Sequence, residues 1–190
     1  MPTLSLADVD ALAAEAHAGQ FDLIGAPYIG HVRAVAAGVA PFGVGLQMAG
    51  LLHDVLEDTP VTADDLLRAG VPFSVVATVR RVTRLPGVSY PEMLRQVVTD
   101  HAATLLKISD NAHNSHPDRA AALAPADRER LGERYRSARA GLWAAGGGGG
   151  GRGGGGGGAV CGPAGGAVDV RAVLELVNPA LLAELAPAAR

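Results

Sequence analysis

Hydrophobic residues recur every three or four positions through most of the first 143 residues. This spacing places them on one face of an α-helix, so the chain is predicted to form a series of amphipathic helices. Several helix starts also carry the capping-box pattern, in which a Ser or Thr is followed three residues later by an acidic residue. These starts are Ser5 with Asp8, Thr62 with Asp65 and Ser89 with Glu92.

Prolines mark further helix starts, because proline fits the first turn of a helix. Pro27, Pro41 and Pro125 are each followed by a helical hydrophobic pattern. The segment 73–85 is ambiguous, since its β-branched residues would also suit a strand. Its valines nevertheless lie on one helical face, and the neighbouring helices favour the helical interpretation. The expected fold class is therefore all-α.

The composition changes sharply at residues 146–158, which are almost entirely glycine. Such a run cannot offset the backbone entropy lost on folding, so a flexible linker is predicted. The folded domain is then expected to span residues 1–145, and a tail of unknown role to span 159–190. Two amphipathic stretches in this tail either dock on the domain or remain loose. With a freely moving linker, deletion of residues 146–190 should leave the melting temperature nearly unchanged.

Charge and composition argue against several classes of protein. The chain has 16 Lys plus Arg against 19 Asp plus Glu, and its basic residues are scattered, so nucleic acid is not an expected partner. No signal-peptide pattern and no apolar run of about twenty residues is present, so no membrane association is expected. The single Cys161 excludes an internal disulfide and is compatible with a reducing compartment. We expect a cytoplasmic protein.

The stretch LLHDVLEDTP, residues 51–60, places a histidine and three carboxylates in apolar surroundings. On one continuous helix, Glu57 would follow His53 by four residues and Asp58 would follow Asp54 by four, so all would share a face. An unpaired acidic cluster on a partly buried helix is costly, and a divalent cation is the usual remedy. An adjacent His and Asp alone are more often a solvated helix face.

Two further polar residues interrupt apolar helices and strengthen the metal interpretation. His31 lies among aliphatic residues, and Asp110 ends the apolar run LLKIS. A lone histidine is more often a satisfied core residue than a ligand. The order His, His-Asp, Asp is nevertheless the order that a mononuclear metal site would need.

Three segments, GAPYIGHVRAVA, LLHDVLEDT and LLKISDNAHN, resemble the signature segments of the HD superfamily of metal-dependent phosphohydrolases. The resemblance is specifically to RelA/SpoT-type (p)ppGpp hydrolase domains and their small stand-alone relatives. It runs from about His17 to Asn114 and extends toward Trp143. The resemblance implies an HD-domain helical bundle.

The resemblance also implies roles for individual residues. Glu57 and Asp58 would position or deprotonate the attacking water, Asn114 would contact the nucleotide, and Tyr28 would have a structural or pocket-wall role. Two imidazoles and two carboxylates leave open positions on a six-coordinate ion, which suits Mn²⁺ better than zinc, with another divalent metal as the alternative. The implied metal ligands are His31, His53, Asp54 and Asp110.

The chain departs from the family pattern near the substrate. Asp22 and Leu23 stand where the family usually carries a basic pair that holds the nucleotide, and Pro117 stands where it has a threonine. These differences leave the metal site intact and the substrate open. Each cation available to replace the basic pair is otherwise an ordinary surface or helix-end residue. The candidates are Lys107, Arg33 and Arg119.

Other polar residues near these motifs have a simpler interpretation. His113 and His116 follow Asp110 closely, and a solvated helix end explains them as well as a pocket wall does. Arg84 belongs to a cluster of three arginines that is more typical of a helix end than of an anion site.

The sequence therefore predicts a metal-dependent phosphohydrolase that cleaves a phosphoester or pyrophosphate of a nucleotide or another phosphorylated small molecule. The resemblance implies activity like that of a guanosine 3′,5′-bis(diphosphate) 3′-pyrophosphohydrolase. The alternative is a metal-binding but catalytically weak regulatory or scaffolding module. Glu57 and Asp58 favour the enzyme, because a scaffold needs only the metal ligands. The oligomeric state is not indicated.

Overall fold

The computed structural model describes residues 4–147 and 166–185, which fold into eleven α-helices and two short 3₁₀ helices. The 3₁₀ helices are Ala40–Phe42 and Pro179–Leu185. Within these residues the contact closest to a strand is one isolated bridge between Phe21 and Pro27, and the all-α fold class is confirmed. The α-helices are α1 (Leu6–Ala16), α2 (Ile29–Gly38), α3 (Val44–Leu52), α4 (Val55–Asp58), α5 (Ala63–Ala69), α6 (Phe73–Val82), α7 (Tyr90–Val97), α8 (His101–Asn114), α9 (Pro117–Ala122), α10 (Pro125–Gly147) and α11 (Gly166–Val177).

Local sequence signals placed most of these helices correctly. All three capping boxes form, at the starts of α1, α5 and α7. The ambiguous segment 73–85 is helical over Phe73–Val82, because its valines pack into the core from one face of α6. That face is Val75, Val76, Val79 and Val82.

The continuous helix expected over residues 42–58 is wrong, because α3 ends at Leu52 and α4 begins at Val55. In an unbroken helix the Gly50 carbonyl would accept a hydrogen bond from the backbone N–H of Asp54. The ring Nδ1 of His53 instead lies 2.8 Å from that carbonyl oxygen. The side chain of the histidine therefore uses the acceptor that would continue the helix, and the carboxylates lie on a separate short turn.

Helix α8 lies at the centre of the fold and contacts α2, α3, α6, α7, α10 and α11. Its side chains are buried on several sides, which explains why its first part, up to Ile108, is largely apolar before the helix turns polar at Asp110. Helices α2 and α3 pack directly on each other. This pairing brings His31 of α2 next to His53 at the end of α3.

The close approach of α2 and α3 depends on Gly50. A Cβ atom on this residue would lie 2.6 Å from Cα and 3.0 Å from N of Ala36 in α2. These are backbone atoms, so the whole of α2 would have to shift to make room. Only glycine fits at this position without separating the two helices.

Gly50→Ala is therefore expected to lower the free energy of unfolding by about 1–3 kcal/mol, the usual cost of overpacking. Chemical denaturation monitored by circular dichroism measures this change. Gly45→Ala, in the same helix, is the matched control, because its Cβ would meet no atom within 4 Å. A helix interior favours Ala over Gly, so the control should be neutral or slightly stabilising. Equal destabilisation of both variants would contradict the packing argument.

The C-terminal segment packs on the domain, contrary to the expectation that its deletion leaves stability unchanged. Helix α11 contacts α2, α8 and α10 and buries Val170, Val173 and Leu174 completely or almost so. Asn178 is also buried, and its Nδ2 donates to the Ala112 carbonyl of α8 at 2.9 Å. The amphipathic pattern of this tail predicted a helix, but the core surface that accepts it became visible only in the folded chain.

The start of the expected linker belongs to a helix. Gly146 lies near the end of α10, where a Cβ atom would come within 2.8 Å of both Ile108 and Val170. This glycine allows α8 and α11 to approach α10. Residues 148–158 of the predicted linker and Cys161 lie outside the described residues.

Across the two described ranges, every helix is too short or too polar to cross a membrane.

Candidate metal centre and active site

The four expected metal ligands meet although they are distant in sequence. Nε2 of His31 lies 3.5 Å from an Asp54 oxygen and 3.4 Å from an Asp110 oxygen. Nε2 of His53 lies 2.9 Å from the same Asp54 oxygen and 3.9 Å from the same Asp110 oxygen. Helices α2 and α8 and the turn between α3 and α4 therefore bring two imidazoles and two carboxylates around one point.

The tautomer of His53 follows from its hydrogen bond. Its Nδ1 lies 2.8 Å from the Gly50 carbonyl oxygen, which can only accept, so the proton of the neutral ring is on Nδ1. The lone pair is then on Nε2, which is buried, and the Asp54 oxygen 2.9 Å away has no proton to donate, so the two acceptors face each other without a hydrogen bond. This nitrogen faces the cluster in the state that a metal ligand requires.

His31 has a corresponding contact on its outer side. Its Nδ1 lies 2.8 Å from Nδ1 of His113, so one ring donates to the other. Burial and the charge of His31 lower the pKa of His113 to about 3, which keeps His113 neutral and able to accept. His113 thus orients His31, because its position three residues after Asp110 on α8 brings it beside the cluster. From sequence, a solvated helix end and a pocket wall explained this residue equally well.

Asp110 is held from two sides. Lys107 places its ammonium 2.6 Å from one Asp110 oxygen, and Asn114 donates from its Nδ2 to the other, which faces the histidines. Burial opposes ionisation, but the Lys107 charge and the hydrogen bond from His31 hold the pKa of Asp110 well below its usual range. Both candidate substrate-binding residues therefore also orient a candidate ligand.

Tyr28 joins the ligand set to Asp58. Its hydroxyl lies 2.7 Å from Asp54 Oδ2 and 3.2 Å from Asp58 Oδ2. Burial and the negative charge of Asp54 raise the pKa of Asp58 above its ordinary value. Asp58 is therefore a stronger base than a solvated carboxylate and lies beside the ligand cluster.

Glu57 faces a different partner. One of its oxygens accepts from the backbone N–H of Arg84 at 2.9 Å, and the other lies 3.5 Å from Arg84 Nε. The break before α4 separates the environments of Glu57 and Asp58, which the continuous-helix interpretation had treated alike. Arg84 was interpreted from sequence as a helix-end charge. Its contacts with Glu57 place it at the edge of the site.

Asp22 also has a structural task. It accepts from the backbone N–H groups of Ile24 and Ala26 and forms an ion pair with Arg119 at 2.8 Å. This ion pair joins helix α9 to the loop that precedes α2, two elements that are far apart in sequence. Arg33, the other alternative cation, instead pairs with Asp10 on an exposed surface.

Most of these residues line an open cleft with a volume of about 270 Å³. The cleft extends from the metal-ligand cluster to helices α7 and α10, so it has room for a ligand larger than a single small anion. Several residues of its wall carry no signal in the sequence, because their helices reach the cleft only through tertiary packing. These additional residues are Ile24, Tyr90, Met93, Leu123, Leu131, Arg134 and Tyr135.

The residues present fit a divalent cation. Donor atoms of His31, His53 and Asp54 all lie within 4.8 Å of one another, and Asp110 extends this group. Burial opposes protonation of His31, but its hydrogen bonds with Asp110 and Asp54 raise its pKa to about 9. The cluster therefore favours positive charge at its centre, and nitrogen plus carboxylate donors suit a divalent transition metal.

Comparisons with known proteins agree with the geometry. The chain is 34% identical over 116 residues to a guanosine-3′,5′-bis(diphosphate) 3′-pyrophosphohydrolase of Haemophilus influenzae and to the bifunctional (p)ppGpp synthase/hydrolase SpoT of Escherichia coli. It is 36% identical over 111 residues to a GTP pyrophosphokinase of Streptomyces coelicolor. These alignments cover 54%, 54% and 52% of the chain but 17%, 16% and 13% of the relatives, so the chain spans less than a fifth of their length. No family model matches the chain.

A solved structure of a metazoan ortholog of SpoT has the same helical architecture. It superposes with a TM-score of 0.62 at 24% sequence identity, covering 75% of this chain and 87% of that one. The chain has the HD-domain fold. The expected resemblance of this HD domain to RelA/SpoT-type hydrolase domains is thereby confirmed.

Proposed function

We propose that this HD domain is a metal-dependent phosphohydrolase that removes the 3′-pyrophosphate of guanosine 3′,5′-bis(diphosphate). The observation that supports this most strongly is the buried Nε2 of His53, which has no hydrogen-bond donor and lies beside His31 and two carboxylates at the base of an open cleft. The relatives named for this chemistry support the choice of substrate.

His31, His53, Asp54 and Asp110 would hold the metal, for which we propose Mn²⁺. When bound, a divalent metal polarises the phosphoryl group and lowers the pKa of water. Neutral imidazole nitrogens and carboxylates are donors that Mn²⁺ accepts while it retains open positions. The expected cytoplasmic location remains a prediction.

The protein residues supply the remaining chemistry. Asp58 takes a proton from the attacking water, whose oxygen bonds to the phosphorus next to the ribose. The bond from that phosphorus to the 3′-oxygen breaks, and the 3′-oxygen receives a proton as pyrophosphate leaves. Tyr28 positions Asp58 through its hydroxyl, and Glu57 holds the segment that carries Arg84 against the site.

The proposal is tested with a panel of phosphorylated nucleotides and added Mn²⁺. We expect rapid release of pyrophosphate from guanosine 3′,5′-bis(diphosphate), slower reaction of other nucleotides, and loss of turnover when a chelator removes the metal. Release of phosphate from generic esters alone would contradict the substrate assignment. Binding of the metal without any turnover across the panel would favour the alternative, a regulatory or scaffolding module.

A further inference from the structure

The cleft wall formed by α10 carries a cation whose charge the metal cluster does not use. Arg134 and Tyr135 follow Leu131 by three and four residues on α10, and all three line the cleft. Leu131 is buried, so this face is anchored and Arg134 has a defined position. The sequence alone gave no reason to distinguish it from the other arginines of this helix.

The other cations of the cleft are already paired. Each lies within 4 Å of a carboxylate: Arg84 with Glu57, Lys107 with Asp110 and Arg119 with Asp22. Among the residues that the structure describes, Arg134 has no carboxylate within this distance. Its positive charge therefore remains available to a ligand, whereas the charges of its neighbours are largely neutralised.

The surroundings of Arg134 strengthen its attraction for an anion. Its guanidinium carbon lies 4.0 Å from the centre of the Tyr90 ring, which holds the side chain in place on one side. Its Nε is buried and has no hydrogen-bond partner. A guanidinium that is oriented and partly removed from water attracts an anion more strongly than a freely hydrated one.

We propose that Arg134 binds a second phosphate group of the substrate, distinct from the group hydrolysed at the metal cluster. The metal ligands belong to α2, α8 and the turn before α4, whereas Arg134 belongs to α10 and its Tyr90 support belongs to α7. A nucleotide that places one phosphate at the metal cluster and another at Arg134 engages both sets of elements at once. The inference rests on the proposed function and specifies a bis-phosphorylated nucleoside as its substrate class.

Binding of two substrate analogues, each with a single phosphate at the 3′ position in place of the pyrophosphate, tests this assignment. Guanosine 3′,5′-bisphosphate carries both phosphates, and guanosine 3′-monophosphate lacks the second. Isothermal titration calorimetry of the full chain should give a 10- to 100-fold weaker affinity of Arg134→Gln for the bisphosphate, the usual value of a charge-assisted hydrogen bond. Its affinity for the monophosphate should stay within about twofold of wild type, and Arg134→Lys should recover part of the lost affinity.

Arg130→Gln is the matched control, because Arg130 lies one turn earlier on α10 and pairs with Asp127 at an exposed position. Its affinities should equal those of the wild type. Equal loss for both ligands in Arg134→Gln would overturn the proposal and indicate a contact with the base or ribose. A wild type that does not distinguish the two ligands would also overturn it. If the affinities behave as expected but no nucleotide is hydrolysed, the proposed reaction fails while the phosphate site stands.

Discussion

Asp58→Asn is expected to lower turnover of guanosine 3′,5′-bis(diphosphate) by about 10² to 10⁴, the usual contribution of a positioned acid or base. The amide keeps the size of the side chain but cannot accept the proton of water. Asp58 hydrogen-bonds to Tyr28 beside the ligand cluster, and burial and the charge of Asp54 raise its pKa. Steady-state kinetics measures the loss, and metal analysis of the purified variant should give a content near that of the wild type.

Two control variants separate catalysis from metal binding. His53→Ala removes a ligand, so it should lose both the metal and turnover, together with the stability that a bound cation provides. Glu57→Gln should keep the metal and lose less turnover than Asp58→Asn, because both Glu57 oxygens face Arg84. Wild-type turnover in Asp58→Asn would exclude it as the base. Loss of metal in that variant would make Asp58 a ligand instead.

A chain that ends at Gly147 is expected to lose most of its folding stability. The truncation removes α11, whose Val170, Val173 and Leu174 are at most 1% exposed, and leaves their apolar contacts on α2, α8 and α10 open to water. Each fully buried aliphatic side chain contributes about 1.5–3 kcal/mol, and a typical domain has only about 5–15 kcal/mol in total. The melting temperature should fall by more than about 10 °C, or the chain should fail to fold.

Point variants in the same helix test this result without truncation. Leu174→Ala should cost about 2–5 kcal/mol in denaturant unfolding, because it opens a cavity at a position with 0% exposure. Leu176→Ala, at a position that is 57% exposed, should change stability by less than about 0.5 kcal/mol. A truncated chain that melts at the wild-type temperature would restore the original expectation of an independent tail.

The separation of Glu57 from Asp58 illustrates how a local conflict changes the chemistry of a site. The spacing of four residues between His53 and Glu57 predicted a shared helical face. The imidazole of His53, however, takes the Gly50 carbonyl that the helix backbone needs. A prediction from periodicity assumes an ideal helix. It does not consider that a side chain can compete with the backbone for the same carbonyl group.

The sequence by itself determined most of the helices, their capped starts and, through the family resemblance, the metal-ligand candidates. These features depend on interactions within a few residues, such as the reciprocal bonds of Ser89 and Glu92, or on a recognisable ligand order. The hydrophobic spacing of α6 likewise decided its conformation, because a buried face needs apolar residues at helical intervals.

Only the tertiary structure decided which charges remain available and where the tail packs. The pairs Asp22 with Arg119 and Glu57 with Arg84 join residues 97 and 27 positions apart, so no local pattern shows that these arginines are neutralised while Arg134 is not. Burial of α11 likewise depends on an apolar surface that α2, α8 and α10 create together. Both outcomes arise from contacts between distant segments, whose energies depend on distance and burial in the folded chain rather than on spacing along it.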